Sequence, residues 1–312
     1  MPVLRIASCC VVLMLLLASG KSFAQEKVTL LPLIHPEKTA EYKHSYFVLY
    51  KSGSAEQIVP GRASRGWVQL DVKGSWRSTE KSRTLSEPQD GESVNSALEV
   101  EAVVKKAFNS FVFDQKLKTY DQHPYTLDQL NDRKFTWKIS ERGRVSELNH
   151  KFAPSQLNRS DIVSTFEQTW IPEMHPVLPE GPVGKGDTWT AKQTFTFPFD
   201  LIPEKALVDL VSTYKLKKIS SKKGNVTVVI AETRQLKYRA WAFVTPVSVV
   251  YEGEGEGEAE WEIDVRQRVI LSQRSKMTIQ RPQVMVAAKE KPADNIKAEV
   301  TLRYSRKLDK LK

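Results

Sequence analysis

Apolar and polar residues alternate with a period of two through most of this chain, and that rhythm limits it to strands. Side chains of a strand point to opposite faces in turn, so the pattern builds a sheet with one apolar face. In the first half, Tyr46 to Tyr50, Trp67 to Trp76, Leu98 to Val104, Phe111 to Leu117 and Phe135 to Ile139 read as strands, rich in β-branched and aromatic residues. In the second half, Thr188–Phe197, Leu210–Ile219, Asn225–Tyr238, Val247–Val265, Val269–Gln280 and Ala298–Leu308 read the same way. Strand is preferred to helix over Leu98 to Phe108. Glu141-Arg142-Gly143-Arg144 is a tight-turn signal, and Ser221-Lys222-Lys223-Gly224-Asn225 reads as a hairpin loop. The expected fold is mainly β: curved antiparallel sheets with one or two short helices.

One helix interrupts the rhythm. Ser160 caps it, Asp161 suits its positive first turn, and Ile162, Val163, Phe166 and Trp170 fall at helical spacing. Pro172 is expected to stop it. A stretch dense in Pro and Gly follows, from Pro176 to Gly186. The boundary between two β-rich halves is placed here, giving 25–158 and 159–312. Their similar length and rhythm suggest a duplicated half-barrel.

Residues 1–24 read as a secretory signal peptide. Arg5 supplies a basic start, Ile6 to Ser19 an apolar run, and Ser22-Phe23-Ala24 a small-x-small cleavage site before Gln25. The run is shorter than the roughly 20 residues of a membrane span, and no later stretch resembles a transmembrane helix. The mature protein is expected in the periplasm or outside the cell. Both cysteines, Cys9 and Cys10, leave with the signal, so the mature chain is stabilised without disulfides. Cleavage removes Arg5 and Lys21 and no acid, which lowers the net charge from +10 to +8. Such a surface suits an anionic envelope partner, although interleaved acids favour simple solvation. Nucleic acid is not expected as a partner outside the cytoplasm.

The oddest segment runs from Tyr251 to Val265. As a strand, one face carries Glu252, Glu254, Glu256, Glu258, Glu260, Glu262 and Asp264. The other carries Gly253, Gly255, Gly257 and Ala259, then Trp261, Ile263 and Val265. Same-face carboxylates of one strand stand about 6.6 Å apart, too far to converge on a calcium ion. Ion pairs with the strand bearing Arg268, Arg274 and Lys276 explain them better. Glycines weaken strands, so three on one face mark either a bend or a groove in which a bulky group lies on bare backbone. Gly253, Gly255, Gly257 and Trp261, with Phe195 and Phe197 of the Thr-Phe repeat, are the candidate ligand-binding residues.

No catalytic constellation emerges. His35, His123 and His175 precede prolines, as in extended loops, and no histidine pair has helical zinc spacing. No metal site and no cofactor are expected. Ser78/Lys81, Ser212/Lys215 and Ser220/Lys223 have Ser-x-x-Lys spacing but none of the partner motifs that make such a serine a nucleophile. Paired carboxylates for sugar hydrolysis would be spatial and so invisible here.

Gly181-Pro182-Val183-Gly184-Lys185-Gly186-Asp187-Thr188-Trp189 resembles a signature of secreted bacterial β-rich proteins of uncharacterised function. In them a Pro/Gly loop ending in Gly-Asp-x-Trp opens a strand-rich C-terminal half. The resemblance covers mainly residues 160–280. It implies a curved antiparallel sheet, similar in shape to the half-barrels of periplasmic lipoprotein carriers, and brings no catalytic residues. In this loop Gly186 permits a tight approach to the strand, Asp187 caps through its side chain, and Trp189 anchors inward. Three functions follow. The first is a non-enzymatic protein binding an apolar or amphipathic ligand, such as a lipid, in a concave sheet. The others are a structural or interaction module of the envelope, and a hydrolase of envelope polymers.

Overall fold

The computed structural model describes residues 26–33, 36, 38–54, 66–85, 96–113, 127–150, 171–197, 206–222, 224–244, 247–286 and 297–312. The expected helix over Asp161–Trp170 lies outside these residues. The described helical turn is Ile171–Glu173 (α1), and Pro172 sits within it instead of ending it.

The fold is mainly β. Eleven strands form one antiparallel sheet, in the spatial order β6-β5-β4-β3-β2-β13-β12-β11-β10-β9-β8. In chain order these are β2 (Thr39–Ser54), β3 (Gly66–Thr84), β4 (Ser96–Phe113), β5 (Lys134–Ser140), β6 (Val145–His150), β8 (Thr188–Phe197), β9 (Ala206–Lys222), β10 (Asn225–Val244), β11 (Val247–Asp264), β12 (Val269–Val286) and β13 (Lys297–Leu311). β6 and β8 stand at opposite edges of this sheet; its neighbours are all antiparallel, and all are consecutive in the chain except β13 and β2. That pair joins the two ends of the chain in one sheet. A short ribbon of β1 (Lys27–Val28) and β7 (Val183–Gly184) lies apart from it.

Several strands exceed their expected lengths. Leu98–Val104 and Phe111 onward merge into β4 because a bulge carries the strand through Lys105 and Lys106. Lys106 takes a left-handed φ of 53°, and the pairing slips from Arg77↔Lys105 to Ser75↔Phe108. The extra residue resets the alternation that the sequence loses there.

Charged side chains cover the outer face of the sheet, and two apolar clusters fill the inner face. One cluster holds Val100, Val104, Phe135, Trp137, Ile139, Leu236, Ile279 and Val300. The other holds Leu216, Val228, Ile230, Trp261, Ile263 and Ile270, with Val28, Leu30 and Leu33 of the N-terminal segment packed against it.

The sheet is rolled. Eleven strands at about 4.8 Å spacing would measure about 48 Å across if flat. Yet the adjacent residues Val177 and Leu178 touch opposite sides of it. The Val177 carbonyl accepts from Trp189 Nε1 of edge strand β8 at 2.8 Å, and its N–H donates to the Tyr214 hydroxyl of β9 at 3.3 Å. The Leu178 N–H donates to the Arg142 carbonyl in the β5–β6 turn at 2.7 Å. There Gly143, with φ of +78°, lies so close to the Pro176 carbonyl that a Cβ would sit 2.4 Å from it. Residues 171–178 therefore form a buried strap that spans the gap between the two edges. Among the described residues the edges themselves do not pair, so the sheet is not closed.

Candidate functional site

The strap and the inner face meet in a belt of charged and hydrogen-bonding side chains between the two apolar clusters. Their positions follow from alternation: Glu80, Glu232, Arg234 and Arg306 occupy inward positions of β3, β10 and β13, among Trp76, Ile230, Leu236 and Tyr304. A charge there must be paired, because an isolated one costs far more than any cluster returns.

Arg234 is paired twice. Its Nε and Nη2 donate to the two oxygens of Glu232 at 2.8 Å each, and its Nη1 donates to Glu173 of the strap at 2.6 and 2.8 Å. Trp261 Nε1 donates to the same Glu232 at 3.0 Å. Burial alone would raise the Glu232 pKa, but the Arg234 charge and these hydrogen bonds outweigh it and hold the carboxyl below its ordinary 4.5.

Arg306 forms the second node. It donates to Glu80 and, through Nη1, to the Met174 carbonyl of the strap at 2.9 Å, while its guanidinium lies 3.6 Å from the centre of the Tyr42 ring. Beside it, Gln273 Nε2 donates to the Glu173 carbonyl at 2.6 Å. A hydrogen-bond chain runs on from Glu80. Ser78 donates to Glu80 at 2.7 Å, and His44 contacts Ser78 Oγ through Nε2 and the Tyr304 hydroxyl through Nδ1, both at 2.8 Å. Since the Ser78 proton goes to Glu80, His44 Nε2 donates to Ser78 and Nδ1 accepts from Tyr304. The imidazole is thus neutral. Burial first, and the Arg306 charge second, push its pKa well below 6.5, and the same two causes act on His175.

This arrangement holds a strap more readily than it performs a reaction. The contact of Ser78 with His44 is buried, and the serine proton is committed to a carboxylate. Lys81 lies exposed on the opposite face from buried Ser78, as Lys215 does from Ser212, so these Ser-x-x-Lys pairs are not brought together. Among the described residues no group of three His, Cys, Asp or Glu side chains is placed to hold a metal ion. No described helix is long and apolar enough to cross a membrane, which says nothing of strands. Gln273 Oε1, Arg306 Nε and His175 Nε2 are among the buried polar atoms with no hydrogen-bond partner among the described residues.

The candidate ligand-binding residues fall on both sides of the belt. Trp261 is fully buried in the lower cluster, bonded to Glu232. Gly253, Gly255 and Gly257 share its face of β11 and pair with Tyr238, Leu236 and Arg234 of β10. A Cβ on Gly255 would lie 2.8 Å from the Leu236 side chain and from the Thr278 carbonyl, and one on Gly257 would lie 2.8 Å from the Lys276 carbonyl. The glycines thus let Leu236 and the β12 backbone close over the strand. Phe195 and Phe197 pair through their backbones with Val208 and Ala206 of β9, and their side chains lie outside the description. In the Gly-Asp-x-Trp loop, Gly186 has φ of +96°, Asp187 Oδ2 accepts from the Gly184 N–H at 2.9 Å, and Trp189 stacks on Tyr214.

Sequence reasoning did not find the belt. Its signal was present in the charges that interrupt an apolar parity, at Glu80, Glu232, Arg234 and Arg306.

No protein-family model matches the chain, and no curated protein matches it. Among solved structures, one described as lipid-protein interactions in lipovitellin is similar over 89% of this chain, with a TM-score of 0.45 and 13% sequence identity. This chain covers 26% of that one, about a quarter of its length.

Proposed function

We propose that this protein binds an apolar or amphipathic ligand, such as a lipid, on the inner face of its rolled sheet, and that it does so outside the cytoplasm. The observation that carries the reading is an apolar lane on the strap's upper side. Leu210, Leu236, Gly255, Ile279 and Val300 follow one another across β9 to β13 in a single cross-strand row. Met277, Leu302, Val48 and Val72 continue it in the next row. Leu210, Met277, Val48 and Val72 keep part of their surface accessible. Pockets for apolar ligands combine such a lining with a few placed polar groups. The secreted location rests on residues 1–24.

Native mass spectrometry of the secreted protein tests this. An amphiphile should co-purify with the wild type and be missing from Leu236→Arg, which places a charge in the lane. A wild-type spectrum with no bound mass, together with no uptake of an apolar fluorescent probe by the purified protein, would overturn the reading. One observation favours a second role as an interaction module: among the described residues the outer edges of β6 and β8 pair with no other strand, and free edges are templates for added strands.

A further inference from the structure

The outer face carries a charge arrangement that folding alone does not explain. Where β11 meets β12, opposite charges face each other: Glu258 opposes Lys276, and Glu260 opposes Arg274. From the next strand, β13, onward this rule is broken. Lys307, Lys43, Arg77 and Lys105 stand in one cross-strand row over β13, β2, β3 and β4. Directly opposed like charges destabilise a sheet. Asp309 relieves part of this, 2.6 Å from Lys43 and 3.6 Å from Arg77.

A second row runs parallel: Lys276, Arg303, Phe47 and Lys73. The Lys73 ammonium and the Arg303 guanidinium each stand 5.8 Å from the centre of the Phe47 ring. Between the two basic rows lies a row of small hydroxyls, Ser305, Ser45 and Ser75, with Arg274 at one end. Ser45, Ser305, Arg274, Arg303, Phe47 and Lys73 line a shallow trough, which the Asp71 carboxylate also borders. At the far end of the hydroxyl row, beside Ser75, stands Phe108, 64% exposed. The bulge at Lys106 sets Phe108 outward while Ala107 turns into the core.

We infer that this face docks on a bilayer of anionic phospholipid. Two rows of cations meet the phosphates, and the grid is wide enough to contact several headgroups at once. An exposed phenylalanine amid cations gains nothing from a soluble polyanion, but it can bury its ring at the headgroup boundary. The two features together therefore fit a charged surface with an apolar layer beneath it. The inference stands independently of the ligand reading, since every residue in it lies on the opposite face of the sheet.

Sedimentation of the full secreted protein with vesicles tests it. The wild type should pellet with vesicles of equal parts phosphatidylglycerol and phosphatidylcholine, should not pellet with phosphatidylcholine alone, and should be released as salt rises to about 1 M. Each cation near such a surface is worth about fivefold in partitioning, so Arg77→Gln with Lys105→Gln should lose about 25-fold. The same pair relieves repulsion, so its melting temperature should hold or rise. Phe108→Ser should lose about tenfold with the fold intact. Lys192→Gln with Lys237→Gln, on β8 and β10, should lose little. Equal losses from the two double variants would show diffuse attraction and overturn the site. Binding to soluble polyphosphate, sensitive to Arg77 and Lys105 but not to Phe108, without vesicle binding, would replace the bilayer by a soluble polyanion.

Discussion

Arg234 and Arg306 hold the same strap by different means. Arg234 grips a side chain, the Glu173 carboxylate, and has Glu232 as a second counter-charge. Arg306 grips the main chain, the Met174 carbonyl, and has Glu80 alone. Their cross-strand neighbours differ as well. Arg234 lies between Ser212 and Gly257, whereas Arg306 lies between Gln273 and His44. Substitution can edit the first anchor one carboxylate at a time. The second combines a charge pair with a carbonyl that no side-chain substitution removes.

The largest effect is expected at Arg306. Arg306→Met strands Glu80, which is fully buried, and should cost about 3–5 kcal/mol in a denaturant titration. Combining it with Glu80→Leu should recover most of the loss, because an apolar pair of similar volume replaces the ion pair. A single variant that costs under about 1 kcal/mol would end the comparison.

Acid should separate the two nodes. His44 and His175 are held neutral beside Arg306, with Glu80, Tyr42 and Tyr304 around that guanidinium. Their folded pKa values lie below the unfolded 6.5, so the unfolded chain binds protons first. Stability is complete above pH 6.5 and falls as pH drops below it, by about 1.4 kcal/mol per pH unit for each histidine. Glu232 at the other node is also depressed, but from 4.5, so its contribution fades only below that value. His44→Gln should halve the slope of the upper window, leaving the share of His175, and should leave the lower window as it is. An unchanged dependence of stability on pH between 5 and 7 in urea titrations would show that His44 titrates alike in the folded and unfolded chains.

Gly255 probes the Arg234 side. Valine suits a strand better than glycine, so propensity alone predicts stabilisation. The Cβ, however, would lie 2.8 Å from the Thr278 carbonyl and the Leu236 side chain. Overpacking of this kind costs about 1–3 kcal/mol, and a thermal melt should show Gly255→Val melting lower. A higher melting temperature would mean that β12 gives way easily.

The sheet was legible in the sequence because alternation is local and strands record it. Thr188–Phe197 is β8 as expected, and the turn at Gly143 is where the Gly signal put it. Strand ends were missed where polar residues sit on both faces, as at Lys105 and Lys106. The strap was missed for a different reason. Ile171, Met174, His175 and Leu178 fall at helical spacing, but Pro172, Pro176 and Pro179 break up a helix there, and what fixes the strap lies about 35 to 130 residues away, at Arg142, Tyr214, Arg234 and Arg306. Such pairings are set by the rolled sheet, not by neighbouring residues.

The smallest effect is expected at Glu173, and it decides whether the two anchors are equivalent. Glu173→Gln keeps the shape and one acceptor oxygen but removes a charge. Arg234 retains Glu232, so no buried guanidinium is left unpaired, and Glu173 keeps some solvent contact. Its main-chain carbonyl still receives Gln273. The cost should therefore be about 1 kcal/mol, the low end for a hydrogen bond to a charged group. The strap's hold on Arg306 does not pass through this side chain, so the acid window of His44 should stay where it is. A pH profile of stability for Glu173→Gln tests both statements together. If the His44 window moves with the substitution, the strap is one rigid body and the two anchors act as a unit. If only the overall stability drops, each arginine holds its own part of the strap, and the Glu173 end can be loosened without disturbing the rest.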